Sequence, residues 1–379
     1  MTQHRVDPSP DAASPRTHEG PRMTSPLAPV VINGRFLTHT PTGVQRWARE
    51  ITRGLADRMP VLVAVPPEDL IEPDLGAPIL RVGRLRGHAW EQWSLPRFLR
   101  ASGSPLLLGL ANTGPTLYRP QIASHLDIIY VRHPESFARS FRLLYGALVP
   151  GLLRRSERVL TVSAFSAGEL HAHFGLPPEK ITVVHAAVGP DFRPEGPRHD
   201  AGEPYLLAVS SPNRHKNFDA LMTAFETART STVRRLLIVG DQARAFQSRG
   251  ARERDGVEFL GRVDDAELMA LYRGAAAFAF PSLYEGFGIP PLEAQRMGTP
   301  VLAARAASLP EVLGDSVLWV DPTDVADIRR GIERLDADPG LRERLSRAGR
   351  ENEARFSWDA AVDRVEEVIR DVRRSLRGA

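Results

Sequence analysis

Short apolar runs recur along the chain from residue 205 onward, every 16–31 residues from start to start, and helical patterns fill the intervals. This rhythm is typical of βαβ units, whose strands form a parallel sheet with helices on both faces. Because such a sheet is buried on both faces, its strands read as continuous apolar stretches. The predicted strands of this half are Tyr205–Val209, Leu236–Val239, Val257–Leu260, Ala276–Phe280, Val301–Ala304 and Val317–Val320.

A first series of such runs precedes the second, and the two are separated by the proline- and glycine-rich stretch Gly189–Pro204. We therefore predict an α/β protein with two Rossmann-like, doubly wound domains that face each other across a cleft. The strands predicted for the first series are Val30–Asn33, Pro60–Val65, Pro105–Leu110, Ile122–Val131, Val159–Val162 and Ile181–Ala187. The predicted divisions are a disordered tail (1–29), an N-terminal domain (30–190), a linker (191–203), a C-terminal domain (204–356) and a last helix (357–379).

Composition excludes several classes of function. The 379 residues contain no cysteine, so disulfides, thiolate catalysis and cysteine-bound zinc are excluded. A formal net charge of +3 is too small to indicate a nucleic-acid partner. We find neither an apolar run of about 18 residues nor the apolar core of a signal peptide, so a cytoplasmic location is expected.

The segment 280–300 carries the side chains with the clearest chemistry. A predicted strand ends at Phe280, a glycine-rich loop follows, and a helix begins near Pro290. Glu285 and Glu293 flank the start of this helix. Loop N–H groups and the helix dipole favour a phosphate, and a carboxylate accepts hydrogen bonds from sugar hydroxyls. The combination predicts a nucleotide-sugar site, and the alternative is a plain strand–turn–helix with two surface acids.

Two cations follow the first strand of the second domain, in the segment Ser210–Asn217. Arg214 and Lys216 lie in the loop that joins this strand to the next helix. Lys216 is one of two lysines among 49 basic residues, which favours a need for an ammonium group at this position. Cations here would neutralise the charge that grows on a diphosphate when a glycosidic bond breaks. The alternative is a solvated basic turn.

Together these motifs resemble the retaining, GT-B-fold glycosyltransferases of family 4. Glu285 and Glu293, with glycine and phenylalanine directly after the first, match the family's two-glutamate motif. His215-Lys216-Asn217 resembles its phosphate loop, and Thr42-Gly43-Val44 resembles its N-terminal glycine loop. Further matches are Trp90-Glu91-Gln92, Ala111–Pro115, His133-Pro134-Glu135, Thr161–Ser166 and Phe259–Val263.

The resemblance implies a donor site in the C-terminal domain for a nucleoside-diphosphate sugar. Lys216 would bind the diphosphate with Arg214 as an assistant, Glu285 would contact hydroxyls of the transferred sugar, and Glu293 would hold the ribose. The other implied contacts are the backbone amides of Gly286, Phe287, Gly288 and Ile289, the base neighbours Arg262 and Val263, and Gly43, which would close over the diphosphate.

The resemblance also implies the reaction. The N-terminal domain would bind a glycan or lipid-linked acceptor, and the last helix would cross back to this domain. A hexosyl group, with mannose favoured, would be transferred with retention, in cell-surface polysaccharide biosynthesis and without a cofactor or metal. The competing class is a non-catalytic nucleotide-sugar-binding protein on the same fold.

This chain departs from the family pattern at two places. Many members carry an arginine five residues before the phosphate-binding lysine, where this chain has Ser211, and Arg214 is the candidate substitute. The family's His-Asp pair has no direct match, because Leu126 separates His125 from Asp127. One step along a strand moves a side chain to the other face. His125, Asp127 and His133 are therefore alternative donor contacts.

Two other patterns have alternative interpretations. The segment Arg132–Arg158 mixes arginines with residues such as Phe137 and Phe141. It predicts either a peripheral contact with the inner face of the cell membrane or an ordinary helix that packs one face. Asp264 and Asp265 fit the N-terminal cap of a helix better than a metal site.

Overall fold

The computed structural model describes residues 29–209, 213–240 and 255–378. Residues 1–28 of the predicted tail and Ser210, Ser211 and Pro212 of the cation-bearing loop lie outside the described residues. The described residues form two parallel sheets, one on each side of residue 190.

The N-terminal sheet has seven strands in the order β3-β2-β1-β4-β5-β6-β7. Its central strands are fully buried because helices cover both faces, as the continuous apolar runs predicted. The strands are β1 (Val30–Asn33), β2 (Val61–Val65), β3 (Ile79–Arg81), β4 (Leu107–Gly109), β5 (Gln121–Ser124), β6 (Arg158–Thr161) and β7 (Ile181–Val183). The helices are α1 (Gly43–Ala56), α2 (Gly87–Ala89), α3 (Leu95–Ala101), α4 (Ile129–Arg132), α5 (Arg139–Arg155) and α6 (Ala164–Phe174), with a π-helical turn at Trp90–Ser94.

The C-terminal sheet has six strands in the order β10-β9-β8-β11-β12-β13, the same winding as the first. Its strands are β8 (Tyr205–Val209), β9 (Arg235–Val239), β10 (Val257–Gly261), β11 (Ala277–Phe280), β12 (Val301–Ala304) and β13 (Leu318–Val320). The helices are α7 (Phe218–Thr227), α8 (Asp265–Gly274), α9 (Ile289–Arg296), α10 (Leu309–Leu313), α11 (Val325–Ala337), α12 (Pro339–Glu353) and α13 (Trp358–Gly378). The predicted doubly wound α/β architecture is confirmed.

Two predicted strands are too long. Of the run Ile181–Ala187, only Ile181–Val183 forms a strand, β7, and the residues from Val184 to Ala187 do not. The apolar run Ile122–Val131 forms β5 only as far as Ser124 and then turns into α4. Asp127 Oδ1 accepts a hydrogen bond from Ile129 N at 3.0 Å, which starts this short helix. The residues after the strand stay apolar because the chain crosses the buried end of the sheet.

The long last helix, α13, packs on α1 of the N-terminal domain. Val362 lies so close to the α1 backbone that a Cβ at Gly54 would collide with it. Arg58, two residues after the end of α1, donates hydrogen bonds to Asp359, at 3.0 Å, and to Asp363. Among the helices of the described residues, none combines the length and apolar composition that a membrane crossing requires.

Candidate active site between the two sheets

Loops from both sheets meet where each strand order reverses, between β1 and β4 and between β8 and β11. Ligands of such sheets bind in the crevice beside these loops. The loop after β8 carries Lys216, and the loop after β11 carries Glu285. Loops of the N-terminal sheet face them, and Ser163 Oγ donates a hydrogen bond across the boundary to the Gly286 carbonyl at 2.7 Å.

The two charged side chains predicted for these C-terminal loops form an ion pair. Lys216 Nζ donates to Glu285 Oε1 at 2.7 Å, and the side chains are 16% and 12% exposed. The ammonium also lies 5.8 Å from the ring centroid of Phe280, the last residue of β11. Each charge therefore compensates the other. An anionic ligand would offer the ammonium a second partner and release the carboxylate to accept other hydrogen bonds.

The turn that carries Lys216 is fixed by its neighbours. Asn217 adopts a left-handed conformation, with a φ of 61°. Its Nδ2 donates to the carbonyls of Pro281, at 3.2 Å, and Pro322, at 2.7 Å. His215 is buried, and burial together with the adjacent lysine lowers its pKa to about 3. A neutral His215 thus anchors the turn, and Lys216 supplies its positive charge at the site.

Serine hydroxyls hold three successive carbonyls of the glycine-rich loop. Ser308 Oγ donates to the carbonyls of Glu285, at 2.9 Å, and Phe287, at 3.2 Å. The carbonyl of Gly286 accepts hydrogen bonds from two serines of the N-terminal domain, Ser166, at 3.3 Å, and Ser163, as described above. The backbone of this loop is therefore constrained by both domains.

Helix α9 begins directly after this loop. Gly288 has a φ of 104°, and a Cβ there would lie 2.7 Å from Leu309, so a larger residue would strain the turn. Pro290 occupies the first turn, as predicted. Gly43 faces this helix start from the N-terminal domain, since a Cβ on it would lie 4.0 Å from Ile289 Cδ1.

Glu293 lies on α9 and is nearly inaccessible to solvent. Tyr272 donates its hydroxyl proton to Glu293 Oε2 at 3.0 Å, and Arg46 Nη1 of α1 lies 4.0 Å from Oε1. Arg46 also donates to Asp265 Oδ1 at 2.8 Å. Burial raises the pKa of Glu293 to about 7, although the arginine charge and the tyrosine hydroxyl oppose this shift. Protonation of Glu293 therefore changes near neutral pH.

The remaining predicted site residues are more accessible to solvent than Glu293. Arg214 is exposed at the start of the turn that ends with the lysine. Arg262 is exposed and Val263 is half-buried, between β10 and α8. Asp264 caps α8 by accepting a hydrogen bond from Glu267 N at 2.8 Å, so its predicted capping role is confirmed. Over the described ranges, no group of three or more histidine or acidic side chains is placed to hold a metal ion.

Of the three alternative contacts after β5, Asp127 lies at the glycine-rich loop. A Cβ on Gly286 would lie 2.9 Å from Asp127 Oδ2. Burial raises the pKa of Asp127, and the charge of Glu285 adds to this effect, whereas the Ile129 N–H and Lys216 oppose it. Besides Glu285 and Glu293, the carboxyl group of Asp127 therefore lies near the Lys216–Glu285 ion pair, on the side of the N-terminal domain.

The two histidines occupy different environments. His125 is fully buried, with ring nitrogens 3.2 Å from the Asn112 carbonyl and 3.2 Å from the Tyr130 hydroxyl. Burial lowers its pKa to about 4, so this imidazole is neutral at neutral pH. His133 Nδ1 lies 3.1 Å from Glu135 Oε1, and its ring lies 5.8 Å from that of His215.

Comparison of the sequence with known proteins identifies the family. Residues 41–192 match the model of Glycosyltransferase Family 4, and residues 191–352 match that of Glycosyl transferases group 1. O-antigen chain mannosyltransferase B of Escherichia coli is 30% identical over 268 residues, which cover 65% of this chain and 70% of that protein. The chain belongs to glycosyltransferase family 4.

A further relative and a solved structure were also compared with the chain. O-antigen chain mannosyltransferase RfbU of Salmonella typhimurium is 28% identical over 275 residues, 70% of this family 4 chain and 76% of that protein. The structure of Anabaena Alr3699/HepE in complex with UDP superimposes with a TM-score of 0.70 at 18% identity, over 90% of this chain and 100% of that chain. The GT-B fold expected of this glycosyltransferase is confirmed.

Proposed function

We propose that the protein transfers a hexosyl group, with mannose favoured, from a nucleoside-diphosphate sugar to a glycan or lipid-linked acceptor in cell-surface polysaccharide biosynthesis. The observation that carries this proposal is the Lys216–Glu285 ion pair, 2.7 Å long, beside a serine-fixed glycine loop at the start of α9. The names of the O-antigen mannosyltransferase relatives support the choice of sugar and of polysaccharide.

In this proposal the donor diphosphate binds at Lys216. The exposed Arg214 assists it, and Gly43 closes over the phosphates from the other domain. The amides of Gly286–Ile289 donate to the phosphate and the sugar, because a loop before a helix N-terminus favours anions. Glu285 accepts hydrogen bonds from sugar hydroxyls once its ion pair with the lysine opens.

The nucleoside lies further along α9, beside Glu293. Glu293 accepts hydrogen bonds from the ribose hydroxyls, and Arg262 and Val263 border the base. Arg46 holds the N-terminal domain against this part of the site through its contact with Asp265. These assignments place the nucleotide between two domains that already contact each other.

The proposed chemistry is transfer on one face of the sugar, with retention. The bond between the anomeric carbon and the diphosphate oxygen breaks, and the acceptor oxygen bonds to the same carbon from the same side. The acceptor proton passes to the leaving diphosphate oxygen. Lys216 and the loop amides stabilise the charge that develops on the diphosphate, and no metal is needed for this role.

A thermal-shift titration with UDP, GDP, ADP and dTDP and their sugars tests the proposal. We expect one nucleotide to raise the melting temperature selectively, and its sugar to be transferred to mannose oligosaccharides in the presence of EDTA. Nuclear magnetic resonance of the product then gives the anomeric configuration. Selective stabilisation without transfer to any acceptor would favour a non-catalytic nucleotide-sugar-binding protein, and an inverted product would contradict retention.

The affinity for the nucleotide is expected to rise with pH through neutrality. With a pKa of about 7, Glu293 gains most of its acceptor capacity between pH 6 and pH 8. Its ionised fraction rises about tenfold over this interval, and the affinity should follow. In the free protein the same group lowers stability as pH rises from about 4.5 to about 7, because the folded state keeps a proton that the unfolded state has released.

Isothermal titration at several pH values measures this dependence, and Glu293→Gln is the control because its amide does not titrate. Comparing the two proteins at each pH cancels ionisation of the nucleotide itself. Equal pH slopes for the wild type and Glu293→Gln would contradict the assignment of Glu293 to the ribose.

We also propose peripheral contact with the anionic inner face of the cell membrane. A cavity of about 640 Å³ along α5 is lined by Arg139, Arg142 and Arg154, and Leu143 beside them is 75% exposed. Basic side chains beside an exposed apolar one suit an anionic lipid surface. This cavity lies in the domain proposed to bind the acceptor.

Flotation with liposomes tests the membrane contact. We expect binding to anionic and not to neutral liposomes, and release at high salt. Reversing the charge at Arg139 and Arg142, each to glutamate, should weaken binding by about tenfold or more. Arg347→Glu, an exposed position on α12, is the control and should bind like the wild type. Equal binding to neutral liposomes, or no binding at all, would contradict the proposal.

A further inference from the structure

A second cavity, of about 410 Å³, lies in the N-terminal domain next to the glycine-rich loop. Asp127 lines this cavity, and the same side chain faces Gly286. Val44 lines it as well, directly after Gly43, which faces Ile289. The cavity therefore continues from the proposed place of sugar transfer into the N-terminal domain.

Aromatic rings form one wall of this cavity. The Phe141 ring stacks on Tyr145 with centroids 4.0 Å apart and on Phe137 with centroids 5.3 Å apart. The edge of Tyr130 packs behind them, 5.2 Å from the Tyr145 centroid. Phe137 and Phe141 thus both line this cavity. The face of an aromatic ring is negative and accepts the weakly positive C–H bonds of a pyranose ring.

The charges around the cavity are already compensated. Arg35, the one arginine or lysine among the described residues of the lining, has its Nε 3.0 Å from the buried Glu91 Oε1. His88 Nδ1 lies 3.0 Å from the other oxygen of Glu91. Burial lowers the pKa of His39, and the charge of Arg35 lowers it further, so this imidazole is neutral. Asp127 contributes a carboxyl group. An anion in this cavity would thus meet no uncompensated cation of the described lining.

We propose that this cavity binds the terminal sugar of the acceptor as a neutral pyranose ring against the aromatic wall, whose middle ring is Phe141, and that it rejects acceptors with a phosphate on that sugar. The inference rests on the proposed function and adds the substrate class: a neutral glycan end, and not a phosphorylated sugar or polyol. The aromatic wall supplies affinity, and the absence of an uncompensated cation in the described lining supplies the discrimination.

Saturation-transfer NMR and an acceptor-dependent assay test the proposal with two soluble probes, α-mannobiose and its derivative phosphorylated at O6 of the terminal mannose. We expect contact between the terminal ring and the protein for the neutral probe, and binding at least about tenfold weaker for the phosphorylated one. Phe141→Leu keeps an apolar side chain and should weaken α-mannobiose binding by about tenfold, and Phe141→Tyr should restore it. Trp93→Leu removes an exposed aromatic ring outside the cavity and should bind like the wild type.

The outcomes separate this inference from the proposed function. Equal or tighter binding of the phosphorylated probe, or unchanged binding in Phe141→Leu, would overturn the inference. The stabilisation by a nucleotide should be the same in the wild type and Phe141→Leu, since the donor side is untouched. If α-mannobiose binds as described but no sugar is transferred, the proposed function fails and the neutral-sugar site stands.

Discussion

Replacing Lys216 with alanine is expected to lower kcat by about 10²- to 10³-fold, the usual cost of losing one preorganised group that stabilises transition-state charge. The ammonium is the positive group held 2.7 Å from Glu285, on a turn fixed by Asn217. Arg214 is exposed two residues earlier in the same turn, so we expect it to assist and not to replace the ammonium. The loss should appear mainly in kcat, since the charge on the diphosphate grows as the glycosidic bond breaks.

Lys180 is the second of the two lysines in the sequence and provides the control for Lys216→Ala. Lys180→Ala is the matched control, because Lys180 donates to the Arg154 carbonyl on the N-terminal domain and should leave transfer unchanged. Lys216→Ala also leaves Glu285 without its partner, so some stability is lost. The double variant Lys216→Ala/Glu285→Gln removes the unpaired charge and should regain stability but no activity. Turnover near that of the wild type in either Lys216 variant would refute the role.

The strands could be predicted because parallel strands bury both faces and leave long apolar runs in the sequence. Strand β3 could not, since Ile79, Leu80 and Arg81 are all exposed at the sheet edge and follow no buried pattern. The strand predicted over Ile122–Val131 was too long because several residues beyond β5 are also buried. Apolar residues continue past the strand, and the sequence does not distinguish a buried strand from a buried turn and helix.

The charged residues of the loops that follow β8 and β11 could also be predicted. Lys216 and Glu285 each lie in a loop that follows a strand, and each was predicted to contact the donor, but the ion pair between them was not predicted. Contacts between the domains left no such signal. Arg46 reaches Asp265, and Ser163 reaches Gly286, across more than a hundred residues of sequence. Arg46 could have been considered, because it follows Gly43 by one turn of helix.

A buried carboxylate, Glu91, contacts two residues that line the proposed acceptor cavity, Arg35 and His88. Glu91 lies in the π-helical turn, and its side chain is 1% exposed. It accepts hydrogen bonds from Asn33 Nδ2 at 2.7 Å and from Thr113 Oγ1 at 2.9 Å, besides its ion pair with Arg35. Burial alone would raise the pKa of Glu91, but Arg35, His88 and Asn33 together bring it below the ordinary value. The carboxylate is therefore ionised and fully partnered.

Glu91→Ala is expected to lower the free energy of unfolding by about 3–5 kcal/mol, because it leaves the buried Arg35 charge without a partner. Glu91→Gln should cost less, since the amide oxygen keeps part of the hydrogen bonding. Urea unfolding measures both, and Asp371→Ala is the control. Its ion pair with Arg374 is exposed, so its loss should cost about 1 kcal/mol or less.

A double-variant cycle decides whether Arg35 is the reason for this cost. Arg35→Met together with Glu91→Ala should be much less destabilising than the sum of the two single changes, because neither charge is then buried alone. Additive costs would show that Glu91 acts through packing and not through the charge of Arg35. In that case Arg35 would keep an uncompensated charge at the cavity, and the exclusion of phosphorylated acceptors would lose its physical basis.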